Sequence, residues 1–241
     1  RCYNIYRDEN GRYYRFDYEN PQVESENLQP MVSKDQEAAV SLLNPTSFYV
    51  PIKKDQKASI STVSKIDIMQ MKLEKSNSIL GHQDVVYASN KSLYLVSKEY
   101  PYYYDFSRYL EQSAIYKFGL DDGFDYLAMG FVNGRALNQF SLSEHNDTLR
   151  MATTEGFSWQ NDTTNSIYSL QEVEGQLSPV WYLGSLGHEG ETIYAVRFMG
   201  EKGYVVTFRQ TDPFYTIDLS DPQRPIKVGE LSIPGYSSYL H

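Results

Sequence analysis

Cysteine is almost missing from this sequence: Cys2 is the only one in 241 residues. No disulfide can therefore close within the chain, and no cysteine-rich metal site can form. Basic residues are scarce too. Lys and Arg number 22 against 31 Asp and Glu, for a formal charge of −9. Phosphate binding needs clustered Lys and Arg, so this balance argues against nucleic acid as the main partner. No apolar run approaches the roughly 18–20 residues of a membrane-crossing helix, so no membrane span is expected. The opening RCYNIYRDENG carries neither a Met nor an apolar segment. The expectation is an excised or processed piece of a longer protein.

Motifs for catalysis and metal binding are also missing. The sequence holds no G-x-S-x-G, no cysteine near a histidine and no glycine-rich phosphate loop. Its four histidines, His82, His145, His188 and His241, are too far apart for a zinc-type pair on one element. The run Asp121-Asp122-Gly123-Phe124-Asp125 resembles a calcium loop only superficially. It lacks the alternating acidic ligands and the distal Glu, and reads as hairpin-turn chemistry. Asp105, Glu144 and Asp212 could pair in space as an acid and a base, but nothing in the sequence pairs them. No catalytic residue, metal or cofactor is assigned.

What the sequence does hold is tyrosine. There are 22 Tyr beside 11 Phe and 2 Trp, with a mean hydropathy of −0.53. Tyr favours strands and half-wet surfaces, and disordered chains are poor in aromatics. An all-β protein with short strands and polar turns is predicted.

Internal repeats give that prediction its form. NKSLYLVS (90–97), NDTLRMAT (146–153) and GEKGYVVT (200–207) align, which puts Tyr94, Arg150 and Tyr204 in one column, 56 and 54 residues apart. A second series reads AIYKFGLDDG (114–123), SIYSLQEVEG (166–175) and PFYTIDLSDP (213–222), aligning Tyr116, Tyr168 and Tyr215, with TVSKIDIMQM (62–71) as an earlier relative. LGHQDVVYAS (80–89) and LGHEGETIYAV (186–196) form a third, whose middle copy has diverged to VNGRALNQFSL (132–142). Each unit of about 50 residues holds four strand-like runs. In the middle unit these are NQFSLSEH, TLRMATT, SIYSLQEV and VWYLGSL; in the last, IYAVRFMG, KGYVVTFR, FYTIDLS and IKVGELSI. Asn, Gly, Asp and Pro sit at the links, and no run shows a 3.6-residue apolar period. Four antiparallel strands at that repeat length predict β-propeller blades, here a partial propeller.

The expected divisions are a partial blade and loop over 1–60, the end of a blade over 61–83, and blades over 84–132, 138–186 and 193–233. Residues 236–241 read as the first strand of a further blade. Within the first part, CYNIYRD and RYYRFDY flank Glu9-Asn10-Gly11, a hairpin signal. Residues 20–35 read as a long loop and EAAVSLL (37–43) as a short helical turn. A partial ring leaves terminal blade faces uncovered, so either missing blades close it or two copies pair as a homodimer.

The last 49 residues, IYAVRFMGEKGYVVTFRQTDPFYTIDLSDPQRPIKVGELSIPGYSSYLH, closely resemble the secreted bacterial and archaeal β-propeller-domain proteins, distant relatives of WD repeats. LNQFSLSEHNDTLRMATT (137–154) and LGHQDVVYASNKSLYLVS (80–97) resemble the same family. The likeness covers roughly 63–241 well and the first sixty residues weakly. It implies an extracellular or cell-envelope propeller, usually of more blades, with no established catalytic chemistry. Gly81-His82 and Gly187-His188 are similar to the Gly-His that opens a WD repeat. The Trp-Asp that ends one is absent, and Gly119-Leu120 and Asp218-Leu219 stand there instead.

Two surfaces are candidates for binding. KEYPYYYDFSRYL (98–110) interrupts a blade where a short hairpin would suffice. Its tyrosines, Tyr102, Tyr103 and Tyr104 among them, are either an aromatic platform for glycan or protein or a cover for the blade edge. The other surface is a polar set on the innermost strands and neighbouring loops: Asn138, Gln139, Arg197, Arg209 and Asp212. First strands line a propeller's channel, where ligands sit. Those residues either contact a ligand, or Arg209 and Asp212 pair within one hairpin while Arg197 holds a neighbouring blade. The leading functional expectation is a non-catalytic extracellular binding or scaffolding module for a protein or glycan at the cell surface. The alternative is a secreted hydrolase or lyase with its active site at the channel mouth.

Overall fold

A computed structural model of the chain describes residues 5–7, 13–15, 31–33, 38–42, 45–50, 59–99, 111–121, 123–157, 161–209 and 212–233. The architecture is all-β. Early in the chain β1 (Ile5–Arg7) pairs with β2 (Tyr13–Arg15), and β3 (Met31–Val32) with β4 (Val40–Ser41), both antiparallel. The expected helical turn over 37–43 is therefore corrected, because Val40 and Ser41 are spent on a strand ladder. Next, β5 (Phe48–Tyr49) runs parallel to β7 (Lys72–Leu80), which forms a hairpin with β6 (Ile60–Asp67).

Three antiparallel meanders follow. The first is β8 (Val85–Ala88), β9 (Ser92–Glu99), β10 (Gln112–Gly119) and β11 (Tyr126–Asn133). The second is β12 (Leu142–His145), β13 (Thr148–Glu155), β14 (Thr164–Val173) and β15 (Gln176–Leu186). The third is β16 (Thr192–Met199), β17 (Lys202–Phe208), β18 (Asp212–Asp218) and β19 (Ile226–Ile233). Two-residue links close several hairpins. In Asn146-Asp147 and Glu174-Gly175 both residues are left-handed, the geometry that suits the twist of a tight hairpin.

The register puts the repeat columns side by side. Tyr94 faces Tyr87 on the first strand, Arg150 faces Ser143, and Tyr204 faces Arg197. One place further along, Tyr116 pairs with Leu95, Tyr168 with Met151 and Tyr215 with Val205. The three meanders are copies of one sheet.

Their packing follows from strand alternation. Second and third strands are largely buried on both faces, and β13 is buried almost end to end. Such a strand needs a neighbour on each side. On β9 and β10, Tyr94, Val96 and Ile115 enter a core shared with Leu149, Met151 and Leu170 of the second meander. The alternate residues Leu95, Ala114, Tyr116 and Phe118 turn the other way, onto Ile79 of β7. Ala152 and Ile167 of the second meander face Val196, Val205, Tyr215 and Ile217 of the third. Each fully buried Leu or Ile contributes about 1.5–3 kcal/mol, so these face-to-face cores outweigh the ladders in joining one sheet to the next. Where the outer strands β11 and β15 meet, Met129 bridges Gln176. Gly130 permits that approach, since a Cβ there would lie 2.1 Å from the Leu177 carbonyl oxygen.

Candidate functional site: a pocket at the innermost strands

Stacking the sheets face to face brings their first strands together. Tyr87 on β8, Ser143 on β12 and Arg197 on β16 occupy the same place in three sheets, and all three line one pocket of about 480 Å³. Val86, Ala88, Gln139, Phe140, Leu142 and Phe198 complete its wall. None of these nine residues is Asp, Glu, His or Cys.

The entry to β12 is set by a short 3-10 turn, Gln139–Ser141. The run from Asn138 was expected as strand throughout. Instead Asn138 caps this turn, its Oδ1 accepting the Phe140 amide at 2.9 Å. The cap holds Gln139 and Phe140 at the pocket, and the Arg197 guanidinium lies 5.8 Å from the Phe140 ring centroid.

Ser143 is held from behind. Its Oγ accepts a hydrogen bond from Arg150 Nη2 at 2.9 Å, while Arg150 Nη1 donates to the Gly200 carbonyl at 2.5 Å. Arg150 is only 4% exposed, and its Nε has no partner. Burial pushes its guanidinium below the usual range, opposed weakly by Tyr87. The Tyr87 hydroxyl accepts the Glu144 amide at 2.9 Å, and its ring stacks on Tyr94 at 5.9 Å.

Glu144, the one acid on β12, is engaged at the seam between the first two sheets. Its carboxylate accepts from the hydroxyls of Ser89 and Ser92 and lies 4.0 Å from Lys117, which also pairs with Glu172 at 2.8 Å. Burial, then the Glu144 charge, pushes the Tyr94 hydroxyl well above its ordinary value.

Of the sequence candidates, Gln139 and Arg197 meet in the pocket. Asn138 acts as the cap behind them. Arg209 is exposed beyond the end of β17, with its Nη1 over Gly190 in the turn that precedes β16. Tyr102, Tyr103 and Tyr104 lie outside the described residues, as does the Asp212 side chain. Gly81-His82 and Gly187-His188 stand in the links between β7 and β8 and between β15 and β16. His82 and His188 are both exposed. What the second turn uses is the His188 amide, which donates to the buried Glu191 carboxylate at 2.9 Å, as does the Thr207 hydroxyl at 2.7 Å. The Glu191 carbonyl accepts from Thr163 and Asn165 of the preceding sheet, tying the two together. Sequence reading did not single out Glu191, Ser143, Arg150, Phe140 or Tyr87 for the site. For Arg150 a signal existed: a cation stands in a column otherwise filled by tyrosine.

Repeated four-stranded sheets stacked face to face, with their innermost strands sharing a pocket, define a β-propeller. Comparison with known proteins agrees, and this chain belongs to the Beta propeller domain family, whose model matches residues 2–241. An uncharacterised protein of Methanocaldococcus jannaschii is 46% identical over 145 residues, which is 57% of this chain and 22% of that protein. Another, from Archaeoglobus fulgidus, is 48% identical over 135 residues, 56% of this chain and 20% of the relative. The matched stretches thus span about a fifth of each relative's length.

Proposed function

We propose that this propeller is a non-catalytic binding or scaffolding module, outside the cell or in its envelope, whose ligand seats in the pocket at the innermost strands. The observation that carries the reading is the pocket wall. Equivalent strands of three blades, with the 3-10 turn that leads into β12, contribute aromatic surface (Tyr87, Phe140, Phe198) beside a few polar groups (Gln139, Ser143, Arg197). A cavity of about 480 Å³ with that mixture has the size and chemistry of small-ligand sites, which run about 300–1,000 Å³. Among the described residues the wall offers no carboxylate or imidazole for proton transfer, which favours binding over hydrolysis. The resemblance to secreted propellers supports the location and a glycan or protein at the cell surface as partner.

A fragment screen by NMR on the chain tests the pocket. Hits are expected to shift the Tyr87, Gln139 and Phe198 signals and to weaken on Gln139→Ala plus Phe140→Ala. Hits that cluster elsewhere and ignore that double substitution overturn the reading. Fractionation of source cells tests the location, and recovery in the cytosol alone would refute it.

A further inference from the structure

Arg197 lines the pocket, Arg150 stands behind its Ser143 wall, and no acid is among the described residues that line it. Arg197 lines it half-buried, and among the described residues it has no ion pair; its guanidinium lies over the Phe140 ring. Behind the wall, Arg150 is nearly sealed from water and likewise unpaired by any carboxylate among the described residues, with one nitrogen unsatisfied. A buried guanidinium without a counter-charge is costly to hold. Glu144, the nearest acid along β12, is already taken by two serines and Lys117. The whole chain carries −9, so this local positive field stands against the general charge of the molecule.

The hydroxyls add direction. Ser143 uses a lone pair on Arg150, and Tyr87 uses one on the Glu144 amide, so each still has its proton to donate. With Arg197 and the Gln139 amide the pocket is rich in donors, which suits an acceptor-rich anion. Its volume and aromatic wall ask for more than a lone carboxylate. An Asp or Glu side chain would leave most of 480 Å³ unfilled, whereas a sugar ring can lay its C–H face on Tyr87 or Phe140.

We propose that the pocket takes a carboxylate-bearing saccharide, a uronate ring whose carboxylate faces Arg197 and the Ser143 hydroxyl backed by Arg150, with the ring against the aromatic wall. This rests on the pocket being the binding site and goes further by naming the ligand class.

Calorimetric titration of the chain with trigalacturonate, galactotriose and an acetylated Glu-Glu dipeptide tests it. Trigalacturonate is expected to bind and to weaken about tenfold on Arg197→Gln, and also on raising salt from about 50 to 500 mM. Ser143→Ala should weaken it as well, with Arg197→Gln melting like the parent protein and Ser143→Ala melting lower, because Arg150 loses an acceptor. The neutral sugar and the dipeptide should bind at least tenfold more weakly. Galactotriose binding as tightly, with pocket signals shifting, overturns the acidic class while leaving the pocket as a site. A dipeptide that binds more tightly, or unchanged trigalacturonate binding by Arg197→Gln, also overturns it. If no probe binds, the saccharide inference falls, and the fragment screen judges the pocket separately.

Discussion

The Arg150 guanidinium lies 5.3 Å from the ring centroid of Phe198, on the first strand of the next blade. One seam earlier the same two places hold Tyr94 and Glu144, whose charge helps to raise the Tyr94 hydroxyl. At these two seams a residue of the second strand is set against the first strand of the next blade, and the chemistry of the pair differs.

Replacing Arg150 should therefore hurt the seam between the second and third blades. Arg150→Ala removes the donors to Gly200 and Ser143 and opens space over Phe198; we expect a loss of about 2–4 kcal/mol in urea unfolding. Arg150→Met keeps most of the packing and avoids the buried charge, so it should cost clearly less. Equal losses for the two would show that packing carries nothing here.

The Glu191 turn makes a second test. Gly187 has φ +85°, and a Cβ there would lie 2.6 Å from a Glu191 carboxylate oxygen and 2.9 Å from the Thr207 hydroxyl. Gly187→Ala and Glu191→Ala should each destabilise by about 1–3 kcal/mol. Because they disturb one turn, the double variant should lose less than the sum of the two. Strict additivity would mean that they act separately.

At the outer edge, Gly130→Val should cost about 2 kcal/mol or more, because the new side chain meets the Leu177 backbone rather than a side chain that can move. The measurable sign is a lower midpoint in thermal unfolding. Gly200, where a Cβ would meet nothing within 4 Å, serves as the tolerant control for steric crowding with Gly200→Asn.

Alkaline pH should unfold this protein early. Burial raises the hydroxyls of Tyr49, Tyr94, Tyr126, Tyr168 and Tyr215 above their ordinary value of 10.0. In the unfolded chain the same tyrosines lose their protons from about pH 10. Stability that is fully present below pH 10 is then drained as pH rises above it. Tyrosinate absorbance should appear together with the loss of β circular dichroism. Full titration at about pH 10 with the fold intact would contradict the buried settings.

The blade pattern could be read along the chain because it is local. A strand shows its period of two within a few residues, and links such as Asn146-Asp147 or Glu174-Gly175 declare their turns by composition. Aligned copies of Tyr116, Tyr168 and Tyr215 then needed no coordinates to be matched, and the ladders hold them in one column. At the start of β12 the spacing of Gln139-Phe140-Ser141 looks like a strand along the chain, but Asn138 caps it as a turn.

The pocket was not available by the same route. Tyr87, Ser143 and Arg197 are more than fifty residues apart at each step, and they meet only because face-to-face packing rotates each blade onto the last. Repeat length, strand count and turn chemistry were written in short-range order. The joint wall, the sealed charge of Arg150 and the role of Glu191 come from contacts between sheets, whose partners no linear spacing names.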